Sequence, residues 1–169
     1  MFSILLLLTN TTFAQATDEY SLSALRGIQT IWFKFTERGD KKCSYQHELR
    51  EKALPLLSEL KQLGLEVRDE IPTVVNVPPD LAVLVSVEAT ASNDVGQESV
   101  CAIFIKLEAI HSMTGTLRYQ TSPIVLRVPA YRTLQYGIAP REKVGIRLQE
   151  AALHAIAVFA NAYLLANPR

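Results

Sequence analysis

The chain of 169 residues carries two cysteines, three histidines, one tryptophan and seven glycines, and its 17 basic side chains equal its 17 acidic ones. Each shortage excludes something. Zero net charge leaves no surplus of clustered cations for a polyanion, so nucleic acid is not an expected partner. The densest basic stretch, Arg38, Lys41 and Lys42, is interrupted by Gly39 and Asp40 and reads as a solvated loop. Few glycines and no G-x-G-x-x-G or P-loop pattern remove the usual phosphate cradles. No G-x-S-x-G elbow marks a serine hydrolase. Three scattered histidines form no zinc-ligand spacing, and no metal or cofactor is expected.

His47 and Glu51, and Glu150 and His154, stand four apart on predicted helices. They read as exposed helix-face pairs, and the first lacks the second histidine of H-E-x-x-H. His111 falls in a predicted turn with no evident partner. Paired carboxylates select no acid–base couple, so no catalytic residue is assigned.

The N-terminus is a secretory signal by pattern. Phe2 to Leu8 is apolar apart from Ser3, and too short to span a bilayer, which takes ~20 apolar residues. Ala14-Gln15-Ala16 supplies small residues at both recognition positions of an A-x-A cleavage site, with Thr17 next. No Lys or Arg precedes the apolar run, which departs from the usual charged start. The expected organisation is a signal peptide over 1–16 and one domain over 17–169, periplasmic or secreted. No stable membrane span is expected after cleavage. No cysteine at the cleavage point suggests lipid attachment there.

In an oxidising compartment the even count of cysteines permits one disulfide, Cys43 to Cys101. Two unpaired thiols, with Cys101 packed in the core, fit the sequence equally.

Periodicity supplies the elements. Ser21 to Ile28 is a short segment capped by Gly27. Gln29 to Thr36 alternates as a strand, with Ile31, Phe33 and Phe35 on one face and Trp32 on the other. Tyr45 to Leu63 has a helical stripe of Leu49, Ala53, Leu56, Leu57, Leu60 and Leu63. Ser44 suits its N-cap, Gly64 its C-cap, and Pro55 predicts a kink. Strands are expected at Leu65–Glu70, Leu81–Thr90 and Ser99–Ile110, with extended pieces at Thr116–Thr121 and Ile124–Tyr136, the last broken at Pro129. Pro140 opens a long helix striped by Val144, Leu148, Ala151, Ala152, Ala155, Phe159 and Tyr163. This order predicts an α+β domain. Its sheet is mostly antiparallel or mixed, of about five strands, with two helices packed on one face.

One surface stands out. Trp32, Arg118, Tyr119, Arg127, Tyr131, Arg132 and Tyr136 interleave aromatic and guanidinium groups, the types enriched at protein interfaces. The competing reading is tyrosines along a sheet edge with solvated arginines.

Three segments carry a resemblance: Ala24-Leu25-Arg26-Gly27-Ile28, Leu63-Gly64-Leu65-Glu66-Val67, and the ending Asn161-Ala162-Tyr163-Leu164-Leu165-Ala166-Asn167-Pro168. The chain resembles small uncharacterised exported bacterial proteins. More distantly, it is similar to envelope domains with an anticodon-binding-domain-like fold, such as the N-terminal domain of the Tol-Pal translocation protein and the lipoprotein activators of penicillin-binding proteins. The resemblance implies an α+β sandwich that binds an envelope protein, and it carries over no catalytic residue. The readings left open are such a binding module, a small exported ligand binder or hydrolase-like enzyme, and a subunit of a homo-oligomer.

Overall fold

The computed structural model describes residues 14–16, 22–43, 48–62, 64–68, 82–93, 99–115 and 124–168, with backbone alone at 14–16, 82, 112–115 and 124–127. The strands are β1 (Ala14–Ala16), β2 (Thr30–Gly39), β3 (Glu66–Arg68), β4 (Ala82–Ser92), β5 (Val100–Gly115) and β6 (Ile124–Pro140). The helices are α1 (Leu49–Gln62) and α2 (Val144–Ala166), with short 3-10 turns at Leu22–Leu25 and Arg141–Lys143. Among the described residues the sheet runs β1-β6-β5-β4-β2-β3. β2 lies parallel to β3 and β4, whereas β4–β5, β5–β6 and β1–β6 are antiparallel. The fold is thus α+β with a mixed sheet, as the element order predicts.

Register assigns the two faces. Ile31, Phe33 and Phe35 align with Val83, Val85 and Val87, which align in turn with Ala109 and Leu107 on β5. These side chains meet both helices in one core. α2 packs on β4, β5 and β6, and α1 packs beside it over β2 and β3. Every residue of the predicted α2 stripe is buried, joined by Ile156, Ala162 and Ala166. Four alanines at 151, 152, 155 and 162 let the helix approach the sheet closely. Phe159 fills the centre, edge-on to Phe33 at 6.4 Å and to Tyr131 at 5.7 Å.

Several boundaries differ from the periodicity reading. α1 begins at Leu49 and runs through Pro55. Glu37 on β2 accepts the Leu49 N–H at 2.9 Å, so a carboxylate distant in sequence satisfies a free first-turn donor. The expected cap Ser44 lies outside the described residues, as does the strand at 116–121. β5 continues through His111, where a turn was predicted. The His111 ring has a partner, lying with Nε2 2.8 Å from the Ala24 carbonyl oxygen. β6 passes Pro129 unbroken, because a bulge opposite Ala109 and Ile110 absorbs one extra residue.

The opening and the ending of the domain are tied together. Gly27 has φ +76°, a conformation that disfavours a β-carbon, and its N–H donates to Asn167 Oδ1 at 2.7 Å. Asn167 Nδ2 donates to the carbonyls of Leu25 and Tyr163, each at 2.9 Å. The Tyr163 hydroxyl donates to the Ile28 carbonyl at 2.8 Å in the interior.

Cys43 and Cys101 are bonded, with Cα atoms 6.0 Å apart and both residues buried. Two unpaired thiols are therefore not the state of this chain. Beside the bridge, the Asp40 carboxylate accepts the N–H groups of Asn93, Cys43 and Lys42 at 2.6, 2.7 and 2.8 Å. Those donors, Asn93 foremost, hold its pKa below the usual carboxylate range.

Candidate protein-binding surface

The sheet face opposite the helices is covered by no described helix, and strand alternation fixes what it presents. On its β5–β6 side, Phe104 pairs with Tyr136 and Ala102 with Ile138. Phe104, Tyr136 and Ile138 are 39%, 54% and 66% exposed. Three large apolar side chains in neighbouring cross-strand positions make a continuous patch rather than scattered exposure.

A charged network adjoins it. Glu108 lies between Lys106, 2.7 Å away, and Arg132, whose Nε and Nη2 lie 2.7 and 2.6 Å from one carboxylate oxygen. Lys106 also reaches Glu88 at 3.7 Å. Burial pushes the Glu108 pKa up, but hydrogen bonds and charge from Lys106 and Arg132 together outweigh it and hold the pKa below normal. Arg132 is thus spent on a strand neighbour and is not a cation held ready for a partner.

The structure separates the residues that the sequence grouped. Tyr136 is exposed and Arg132 half-buried, both on the outer face. Tyr131 points to the opposite face, 6% exposed against Phe159, and burial raises its pKa. Its assignment to the binding surface is corrected by simple alternation: an odd step along β6 changes face. Trp32 is on the outer face but only 5% exposed, so it too is no free contact residue. Arg118 and Tyr119 lie outside the described residues, and of Arg127 only the backbone, paired with Ser112, is described. Sequence reasoning missed Phe104 and Ile138. The alternation Leu134, Tyr136, Ile138 was the available signal, hidden because the strand was ended at Tyr136.

Among the described residues no group of His, Cys, Asp and Glu side chains is arranged to hold a metal ion. The geometry defines an α+β domain with helices on one sheet face and an exposed aromatic–aliphatic patch on the other.

No family model and no curated protein matches the chain. Among solved structures it is similar to the PelC dodecamer from Paraburkholderia phytofirmans, with 11% identity and a TM-score of 0.42, covering 90% of this chain and 96% of that one. It is also similar to a putative neuraminyllactose-binding hemagglutinin homolog from Helicobacter pylori, with 13% identity and a TM-score of 0.37, covering 82% and 83%. At these scores neither likeness carries a functional argument.

Proposed function

We propose that the protein is an exported binding module of the bacterial envelope, docking another envelope protein on its outer sheet face. The observation that carries this reading is the patch of Phe104, Tyr136 and Ile138, which stands open beside a fully paired charge network. An apolar centre rimmed by polar groups is the usual anatomy of a protein contact. Export is supported by the Ala14-Gln15-Ala16 pattern and by the buried Cys43–Cys101 bridge, which belongs to an oxidising compartment. The sequence resemblance to envelope domains with an anticodon-binding-domain-like fold points the same way.

A photo-crosslinking amino acid placed at Tyr136 in the exported protein tests this, with the same group at Ile146 on α2 as control. Ile146 is 61% exposed on the opposite side of the sheet. Adducts with one envelope protein from position 136 and none from 146 are expected. Equal capture from both positions, or none from either, refutes the docking face.

A further inference from the structure

The edge of the sheet at β6 holds three observations that belong together. First, β6 spans Ile124–Pro140, yet among the described residues its outer edge is paired only at Leu134, Gln135 and Tyr136, by Ala16, Gln15 and Ala14. Those three partners are the residues of the predicted signal cleavage site. Processing after Ala16 removes β1 and takes that strand partner from Leu134, Gln135 and Tyr136, whose freed edge is a template for another strand.

Second, with β1 in place Gln135 is 1% exposed on the helix-side face, and neither its Oε1 nor its Nε2 has a hydrogen-bond partner. Thr133, two residues away on the same face and fully buried, also has an unpartnered hydroxyl. Buried unpaired polar atoms carry an uncompensated loss of hydration and call for a partner. Third, the exposed Tyr136 and Ile138 stand beside that same edge on the outer face.

We infer that the processed protein pairs β6 with β6 of a second copy, antiparallel and centred on Gln135, so that one sheet runs through both protomers. This rests on the export reading. The register is the one that Gln15 already takes opposite Gln135. A second copy's Gln135 replaces Gln15, and its Leu134 and Tyr136 replace Ala14 and Ala16. An amide carries both donor and acceptor, so two Gln135 side chains related by the two-fold satisfy each other. Thr133 then faces the second copy's Gly137, which brings neither bulk nor a side-chain partner, so the pairing satisfies Gln135 alone. On the outer face Tyr136 stands beside Leu134 and Ile138 beside Arg132, so the two patches adjoin while the face stays open, and no like charges are opposed. A symmetric strand pairing closes on itself as a dimer. It also joins two outer faces into one broader docking surface.

The test uses the full chain exported with a C-terminal tag. Intact mass shows whether Met1–Ala16 is gone, and light scattering during size exclusion gives the oligomeric mass. The expected result is a cleaved chain at twice the mass of one protomer. Gln135→Cys is expected to form a disulfide-linked dimer, and Thr133→Cys, which faces residue 137, is not. A cleaved wild-type chain that stays monomeric overturns the pairing while leaving export intact. A chain that retains residues 1–16 overturns both. Equal cross-linking at 133 and 135 overturns the register and with it the inference.

Discussion

Replacing Asn167 by alanine tests the link between the two ends of the domain. The wild-type side chain accepts from Gly27 N–H and donates to Leu25 O and Tyr163 O. Its bond to Leu25 is partly buried, so the freed carbonyl is only partly rehydrated and the loss is about 1–1.5 kcal/mol. The Gly27 bond is exposed and contributes about 0.5 kcal/mol, because water replaces the lost partner. The Tyr163 carbonyl keeps the Asn167 backbone N–H at 3.0 Å, so little is lost there. The expected destabilisation is about 2 kcal/mol, a fall in Tm of about 4–8 °C for a domain of this size. Thermal unfolding followed by circular dichroism measures it, and hydrogen exchange localises it: the Gly27 amide should exchange much faster while β4 amides follow only the global change. Tyr163→Phe removes the buried bond to Ile28 O and should cost about 1–1.5 kcal/mol. The double variant should lose less than the sum, since both side chains restrain residues 25–28. An Asn167→Ala protein within about 0.5 kcal/mol of wild type, with an unchanged Gly27 exchange rate, would refute the reasoning.

Breaking the Cys43–Cys101 bridge by a double alanine substitution opens a loop with a sequence separation of 58. In the chain-entropy model this loses ~4 kcal/mol, readable as a lower urea midpoint that matches the reduced wild-type protein. Phe159→Ala should cost about 3–5 kcal/mol in the same assay, because the ring sits fully buried between Phe33 and Tyr131. Glu108 gives the fold an acid limb. Its pKa is lower folded than unfolded, so its contribution is complete above the ordinary glutamate value of about 4.3 and is lost as pH falls through the depressed one. Glu108→Gln should therefore be less stable near neutrality and show a flatter decline of urea midpoint with acid. A decline as steep as wild type would show that other carboxylates carry it.

Period-2 and period-3.6 patterns are local properties of a chain, and they exposed most of the layers. Ile31 and Phe33 on β2, the valines of β4 and the alanine-rich stripe of α2 are buried as the alternation requires, because one apolar face must find another. Gly27 was legible as a cap for the same local reason. The ends of elements were not. Leu49 starts α1 because Glu37 reaches it from another strand, and β6 outlasts Pro129 because β5 accommodates a bulge. Both depend on partners that no window of sequence contains.

The binding surface shows the same division. Composition marked tyrosines and arginines as contact residues, but exposure is decided by face and by neighbours. Tyr131 and Tyr136 are the same residue type five positions apart, and the odd spacing sends one under Phe159 and the other to solvent. The paired N-terminal and C-terminal motifs were visible as words without a grammar until Asn167 and Tyr163 were seen to bond the backbone at 25–28. The sequence by itself determined which side chains gain by leaving water and at what spacing they recur, since transfer from water depends on side-chain chemistry. Tertiary structure alone decided the mixed strand order, the pairing of Arg132 with Glu108 and the unpartnered amide of Gln135, because register joins residues whose separation along the chain leaves no local trace.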